Sequence, residues 1–139
     1  MGIDKEQTEE LIRENLTIDE NQRFTFKQIS FEEIKELPTS DLIVSNFAMP
    51  FCNPICFEDF WEIVCSSINK DGYFLGNFFG IEDEWNGVKK RMSFFDIDKM
   101  KELFKDFEII EIKEKIYDEK TGMGVLKHWD VIDVFARKR

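Results

Sequence analysis

Histidine, cysteine and proline are scarce in this 139-residue chain, which holds one, three and three of them, and its 19 basic residues are outnumbered by 29 acidic ones. Each shortage closes off a class of proteins. Cys52 and Cys56 lack a second cysteine pair, and His128 is the one histidine, so four zinc ligands are not assembled and no metal is expected. Three thiols (Cys52, Cys56 and Cys65) cannot all pair with one another, and no signal peptide precedes them, so reduced cysteines and a cytoplasmic location are expected. No apolar run approaches the roughly 20 residues that cross a bilayer. The formal net charge of −10 repels phosphate backbones and anionic membranes, since affinity for both rests on clustered Lys and Arg. Arg137-Lys138-Arg139 is a dense basic run and reads as a solvated end. The expected partner is a small molecule, with no nucleic acid and no membrane.

What is present is a packed-domain composition: 42% hydrophobic and 35% charged residues, with 15 Phe that need an interior. Asp4-Lys5-Glu6-Gln7 reads as a capping box that opens a helix to about Asn15, followed by a polar stretch over residues 17–22. Residues 23–29 alternate polar and apolar, which predicts a strand. Residues 31–37 make at best a short helix before Pro38. Asp41-Leu42-Ile43-Val44-Ser45-Asn46-Phe47 is the continuous apolar type that a central parallel strand shows when both faces are covered. Phe57, Phe60, Trp61, Val64, Cys65 and Ile68 form one stripe of an amphipathic helix, closed by the turn at residues 69–72. Residues 73–79 are another buried strand. A charged, aromatic loop over 81–95 precedes a helix at about 97–105. Residues 107–117 and 128–137 are strands whose short connection makes them antiparallel neighbours.

Alternation of strands and helices predicts a doubly wound, mainly parallel sheet, and the terminal antiparallel hairpin is the informative departure. This pattern resembles class I S-adenosylmethionine-dependent methyltransferases, whose sheet ends in an antiparallel strand inserted beside its parallel ones. Gly2-Ile3-Asp4 looks like the end of the family's second strand, Asp41-Leu42-Ile43-Val44-Ser45-Asn46 like its fourth, and Lys70-Asp71-Gly72-Tyr73-Phe74 like the turn into its fifth. Phe79-Gly80-Ile81-Glu82-Asp83-Glu84-Trp85 and Lys127-His128-Trp129-Asp130-Val131 are similar to segments of the subgroup related to tellurite-resistance methyltransferases. The resemblance implies an α/β fold with an incomplete Rossmann-like sheet, mainly parallel with a C-terminal antiparallel hairpin and helices on both faces. It also implies S-adenosylmethionine as cofactor and methyl transfer to a small molecule. The family's Gly-rich loop is missing, because Gly122-Met123-Gly124 lies in the late turn and opens no helix. The chain is therefore expected to be a single truncated domain over 1–139, with a strand-and-helix stub at 1–22 and the other elements at 23–139. Weak or absent cofactor binding is expected from it.

Ligands of open parallel sheets sit outside the carboxyl ends of the strands. The resemblance places Asp4, Ser30, Phe31, Asn46 and Phe47 toward the cofactor, Phe51, Asp83, Trp85 and Trp129 toward the acceptor, and His128 and Asn46 as catalytic candidates. Ser30 and Phe31 stand where the family often has an acidic and a small residue near the adenine. Each position has a plainer role open to it. Asp4 also suits a helix cap, Asn46 and Phe47 a strand end, His128 a structural hydrogen bond, and Asp83, Glu84 and Trp85 a solvated loop with one anchoring ring. With the family's first strand absent, strand 41–47 is expected to present an unpaired edge that drives self-association, unless strand 23–29 moves inward to fill the gap. Two functions follow from different classes: a methyltransferase, impaired as an isolated chain, or a non-catalytic, self-associating module that keeps the fold.

Overall fold

The computed structural model describes residues 5–139, with side chains from Glu9 onward. The helices are α1 (Lys5–Glu14), α2 (Ile18–Arg23), α3 (Pro54–Ser67) and α4 (Ile97–Leu103). The strands are β1 (Ser40–Ser45), β2 (Ile68–Gly80), β3 (Phe94–Phe95), β4 (Phe107–Lys120) and β5 (Leu126–Lys138). They form one sheet in the order β1-β2-β5-β4, with β3 paired to β2. β1 and β3 run parallel to β2, whereas β5 runs antiparallel to both β2 and β4. The expected hairpin is thus present, and its second strand is the one inserted beside β2. The fold is mixed α/β, parallel at one end of the sheet and antiparallel at the other.

Local chemistry explains the helices. The Asn53 side chain accepts the Ile55 N–H at 3.1 Å, and Pro54 occupies the first turn of α3, where a missing N–H costs nothing. Phe57, Phe60, Trp61 and Val64 then fall on one buried stripe. Trp61 packs edge-on against Phe74, Phe78 and Phe104, while its indole N–H donates to the Leu103 carbonyl at 3.0 Å. One residue therefore ties α3 to the sheet and to the end of α4. Met100 from α4, Phe107 from β4, and Ile132, Val134 and Ala136 from β5 complete the same core.

Of the two helix layers expected, α3 and α4 supply one. On the other sheet face Leu42, Val44 and Leu75 are 53%, 58% and 45% exposed, and an open cleft of about 500 Å³ runs across it from Val44 and Asn46 to Lys113 and Phe135. The apolar character of β1 thus marks two apolar faces, of which one is covered among the described residues.

The polar stretch 17–22 is a helix instead of a loop. Thr17 accepts from the Glu20 N–H, and the Glu20 carboxylate accepts from the Thr17 N–H at 2.7 Å, a reciprocal cap that starts α2. The strand expected at 23–29 does not form. Phe24 and Phe26 do share a side, with ring centroids 6.4 Å apart, but Phe24 is held by the Arg13 guanidinium, 5.0 Å from its ring centroid. Alternation specifies an extended chain, and pairing additionally needs a sheet edge; this segment meets none. Nor does it move inward, since β1 pairs with β2 alone among the described residues.

Candidate functional site

The carboxyl ends of β1 and β2 lie side by side, as the register Ser45↔Gly76 requires. The chain leaves β1 through Asn46 and Phe47, and Phe47 has φ of +50°, a left-handed conformation that is strained for a bulky residue. A clamp holds it there. The Phe47 N–H donates to the Asn77 side-chain carbonyl at 2.7 Å, and the Asn77 amide reaches the Asn46 side-chain oxygen at 3.4 Å. Asn77 is buried in β2. Sequence reasoning passed over it, although an amide inside the apolar run Tyr73–Phe79 was a signal, because a buried polar group demands a partner. Beyond Phe47, the loop is tied down by the Ser93 N–H donating to the Pro50 carbonyl at 2.9 Å and the Ser93 hydroxyl to the Cys52 carbonyl at 2.7 Å.

Phe47 and Phe51 remain half-exposed and approach Phe79 with ring centroids 6.2 and 6.4 Å away. Phe79 begins an aromatic cluster with Trp85 at 6.1 Å and Trp129 at 5.9 Å, and Tyr117 stacks on Trp129. Four of the expected acceptor and cofactor residues, Phe47, Phe51, Trp85 and Trp129, therefore meet around Phe79. The Trp129 indole N–H donates to the Glu119 carbonyl at 3.0 Å.

Inside this cluster lies a group the sequence does not reveal. Lys127 is 1% exposed, and its ammonium stands 3.7 Å from the Trp129 ring centroid, 4.3 Å from Trp85 and 5.0 Å from Phe79. Both oxygens of the Asp83 carboxylate lie 2.7 Å from it. Asp83 further accepts the N–H groups of Trp85 and Asp130 at 3.0 and 3.1 Å. Its carboxylate is thus turned into the protein and fully engaged, positioning the loop and Trp85. A buried charge pair survives only with such complete satisfaction.

Asp130 is fully buried beside it. Its Oδ2 accepts the Glu82 N–H at 3.0 Å, and a β-carbon on Gly80 would stand 2.1 Å from that oxygen, so only glycine fits where β2 ends. The hydrogen bond with Asp130, then partial burial and the charges of Asp130 and Glu82, push the Glu114 carboxyl up to about 6. Cys52 is similarly driven to about 12, by burial and then by the neighbouring Cys56 thiol, so it is a poor nucleophile.

The other expected site residues fall apart from this cluster. His128 Nδ1 sits 2.7 Å from Asp118 Oδ1 in an exposed cross-strand pair on the hairpin. Phe31 packs edge-on against Phe60 of the core at 4.9 Å, and Ser30 precedes the short turn Phe31–Glu33 without a side-chain cap. Asp4 lies outside the described residues. Among the described residues no three His, Cys, Asp or Glu side chains group so as to hold a metal, and no helix is long and apolar enough to cross a membrane.

A β-strand inserted antiparallel beside a parallel pair, with the loops gathered at the carboxyl ends of β1 and β2, is the fold of class I S-adenosylmethionine-dependent methyltransferases. TehB from Haemophilus influenzae superposes with a TM-score of 0.72 at 16% identity, over 98% of this chain and 48% of that one. A methyltransferase of the same cofactor from Anabaena variabilis gives 0.54 at 14% identity, over 97% and 65%. The N-methyltransferase NodS from Bradyrhizobium japonicum, bound to S-adenosyl-L-homocysteine, gives 0.55 at 9% identity, over 86% and 58%. The chain thus spans about half the length of TehB. No protein-family model matches the sequence, and neither does any curated protein.

Proposed function

We propose that this chain carries the acceptor side of an S-adenosylmethionine-dependent methyltransferase that acts on a small molecule in the cytoplasm, and that it binds the cofactor weakly by itself. The observation that carries the reading is the Asn46–Phe47 corner, clamped by Asn77 at the carboxyl end of a methyltransferase-type sheet. The residues suit the cofactor: Asn46 offers an exposed amide, and the Phe47 ring is 43% exposed for stacking. When bound, S-adenosylmethionine supplies an electrophilic methyl group.

The chain's own residues would act by position. Asn46 and Phe47 hold the cofactor, with Ser30, Phe31 and Asp4 extending that set. Phe51, Trp85 and Trp129 exclude water beside the acceptor, and Asp83 acts behind them by fixing Trp85. In a displacement, such alignment and desolvation provide most of the acceleration.

Titration calorimetry with S-adenosylhomocysteine tests the reading. Weak binding that Asn46→Ala abolishes supports it, and binding insensitive to that change refutes the assigned corner. A second reading, a non-catalytic module that self-associates, is favoured by the edge of β1, unpaired among the described residues, and the exposed Leu42 and Val44 beside it. It predicts no heat with the cofactor product together with a concentration-dependent dimer.

A further inference from the structure

Cys52 and Cys56 carry free thiols whose Sγ atoms stand 3.8 Å apart. The third free cysteine, Cys65, has no sulfur neighbour among the described hydrogen bonds. Residues four apart inside a regular helix keep their β-carbons about 5–6 Å from each other, beyond the roughly 4 Å that a disulfide allows. Cys52 escapes that limit. It and the N-cap Asn53 are extended, with φ/ψ of −72°/127° and −61°/133°, and α3 starts only at Pro54. The sulfurs are in contact, and a bond of about 2.05 Å is a short approach away.

The two thiols differ in access. Cys52 is 0% exposed, whereas Cys56 is partly exposed, with its Sγ 3.3 Å from the Asn53 carbonyl and 3.8 Å from Glu32 Oε1. A reachable thiol beside a sheltered one is the arrangement of an attacking and a resolving cysteine. Cys52 also ends the loop that carries Phe47 and Phe51. Its N–H donates to the Met49 carbonyl at 3.1 Å, and its carbonyl accepts the Ser93 hydroxyl at 2.7 Å.

We propose that Cys52 and Cys56 form a redox-active dithiol, oxidised to an intramolecular disulfide by a small-molecule disulfide of the glutathione type, and that the new bond ties the loop of residues 47–52 to the first turn of α3. The dithiol chemistry stands without the methyl-transfer reading; the significance of that loop as a wall of the cofactor and acceptor site rests on it.

The reaction is two thiol–disulfide exchanges. The Cys56 sulfur attacks the oxidant, whose S–S bond breaks, and the first small thiol leaves with the proton that Cys56 gives up. The Cys52 sulfur then attacks Cys56 Sγ, and the second small thiol leaves with the Cys52 proton. Two electrons pass from the protein thiols to the oxidant. Burial, then the Cys56 thiol and the charges of Cys56 and Glu32, push Cys52 up to about 12. Once Cys56 is in the mixed disulfide it has neither S–H nor charge, so its share of that rise disappears at the step where Cys52 must react.

The test equilibrates the intact chain with glutathione at a rising oxidised fraction, quenches by alkylation in denaturant and maps the peptides by mass spectrometry. Cys52 and Cys56 are expected to pair within one chain about tenfold faster than Cys65 is modified, because burial pushes Cys65 up to about 11 and it has no partner. In the oxidised chain the Phe51 and Cys52 amides should exchange with solvent about tenfold more slowly. Cys65→Ser leaves both results unchanged, and Cys56→Ser, at a partly exposed position, keeps Cys52 reduced at every ratio. A Cys56 that stops at the glutathione adduct, a Cys52 still alkylated in the oxidised sample, pairing between chains, or unchanged exchange at Phe51 and Cys52 overturns the proposal. No cofactor enters these measurements, so their failure leaves the S-adenosylhomocysteine result standing, and absent cofactor binding leaves the dithiol.

Discussion

Lys127 and Asp83 show how much one buried pair decides. Each satisfies the other inside an aromatic wall, so removing either charge strands its partner. Lys127→Met is expected to cost roughly 3–5 kcal/mol, whereas the double change with Asp83→Leu recovers much of that loss, because the stranded charge is gone. Urea denaturation of the three variants measures the difference. Glu114 gives a second residue-level outcome. Its pKa is raised in the folded state from 4.5 to about 6, so the pair's favourable contribution is fully present below pH 4.5 and is lost as pH rises through about 6. Asp130→Asn, which keeps an acceptor for the Glu82 N–H, should remove this loss, seen as a urea midpoint that no longer falls between pH 5 and pH 7 on this account. Little of this was legible beforehand. A lysine in a sequence reads as solvated surface, and nothing in residues 126–130 indicates that Lys127 is caged while Leu126 is 66% exposed. The aromatic residues were legible, since Trp85 and Trp129 have no other way to bury their rings.

Elements were more readable than contacts. The stripe of residues 57–68 predicted α3, the apolar runs predicted β1 and β2, and a short turn predicted the β4–β5 hairpin; each element appears, but β2 begins at Ile68, so the turn expected at residues 69–72 is part of the strand. These signals are local periodicities, and the chain keeps them whatever surrounds it. The failure at residues 23–29 has the opposite cause. A strand is completed by its neighbour, and the alternating side chains of Arg23–Ile29 carry no information on whether an edge is available. The reciprocal cap in α2 was legible in Thr17-Ile18-Asp19-Glu20, but the polar composition of the turn outweighed it. β3 is two residues long and has no pattern to read. Among the elements α3 is the one on which the sheet depends. Trp61→Ala should cost about 3–5 kcal/mol through cavity formation and loss of the bond to Leu103, with α4 losing amide protection in hydrogen exchange before β2 does.

Among the described residues, the sheet has a helix-covered face and a face where Leu42, Val44, Tyr73 and Leu75 are exposed, ending at the unpaired edge of β1. Exposed apolar edges recruit other strands. Sedimentation velocity should therefore find concentration-dependent association, and Val44→Lys should shift it toward the monomer without lowering the thermal midpoint, since Val44 is already 58% exposed. The same open end of the sheet holds the Asn46–Phe47 corner, and everything proposed about methyl transfer depends on that corner meeting the cofactor. Amide chemical-shift mapping with S-adenosylhomocysteine addresses this directly. Perturbations centred on Asn46, Phe47 and Asn77, saturating weakly, are the expected result; spectra in which those three amides stay fixed at millimolar ligand would contradict it.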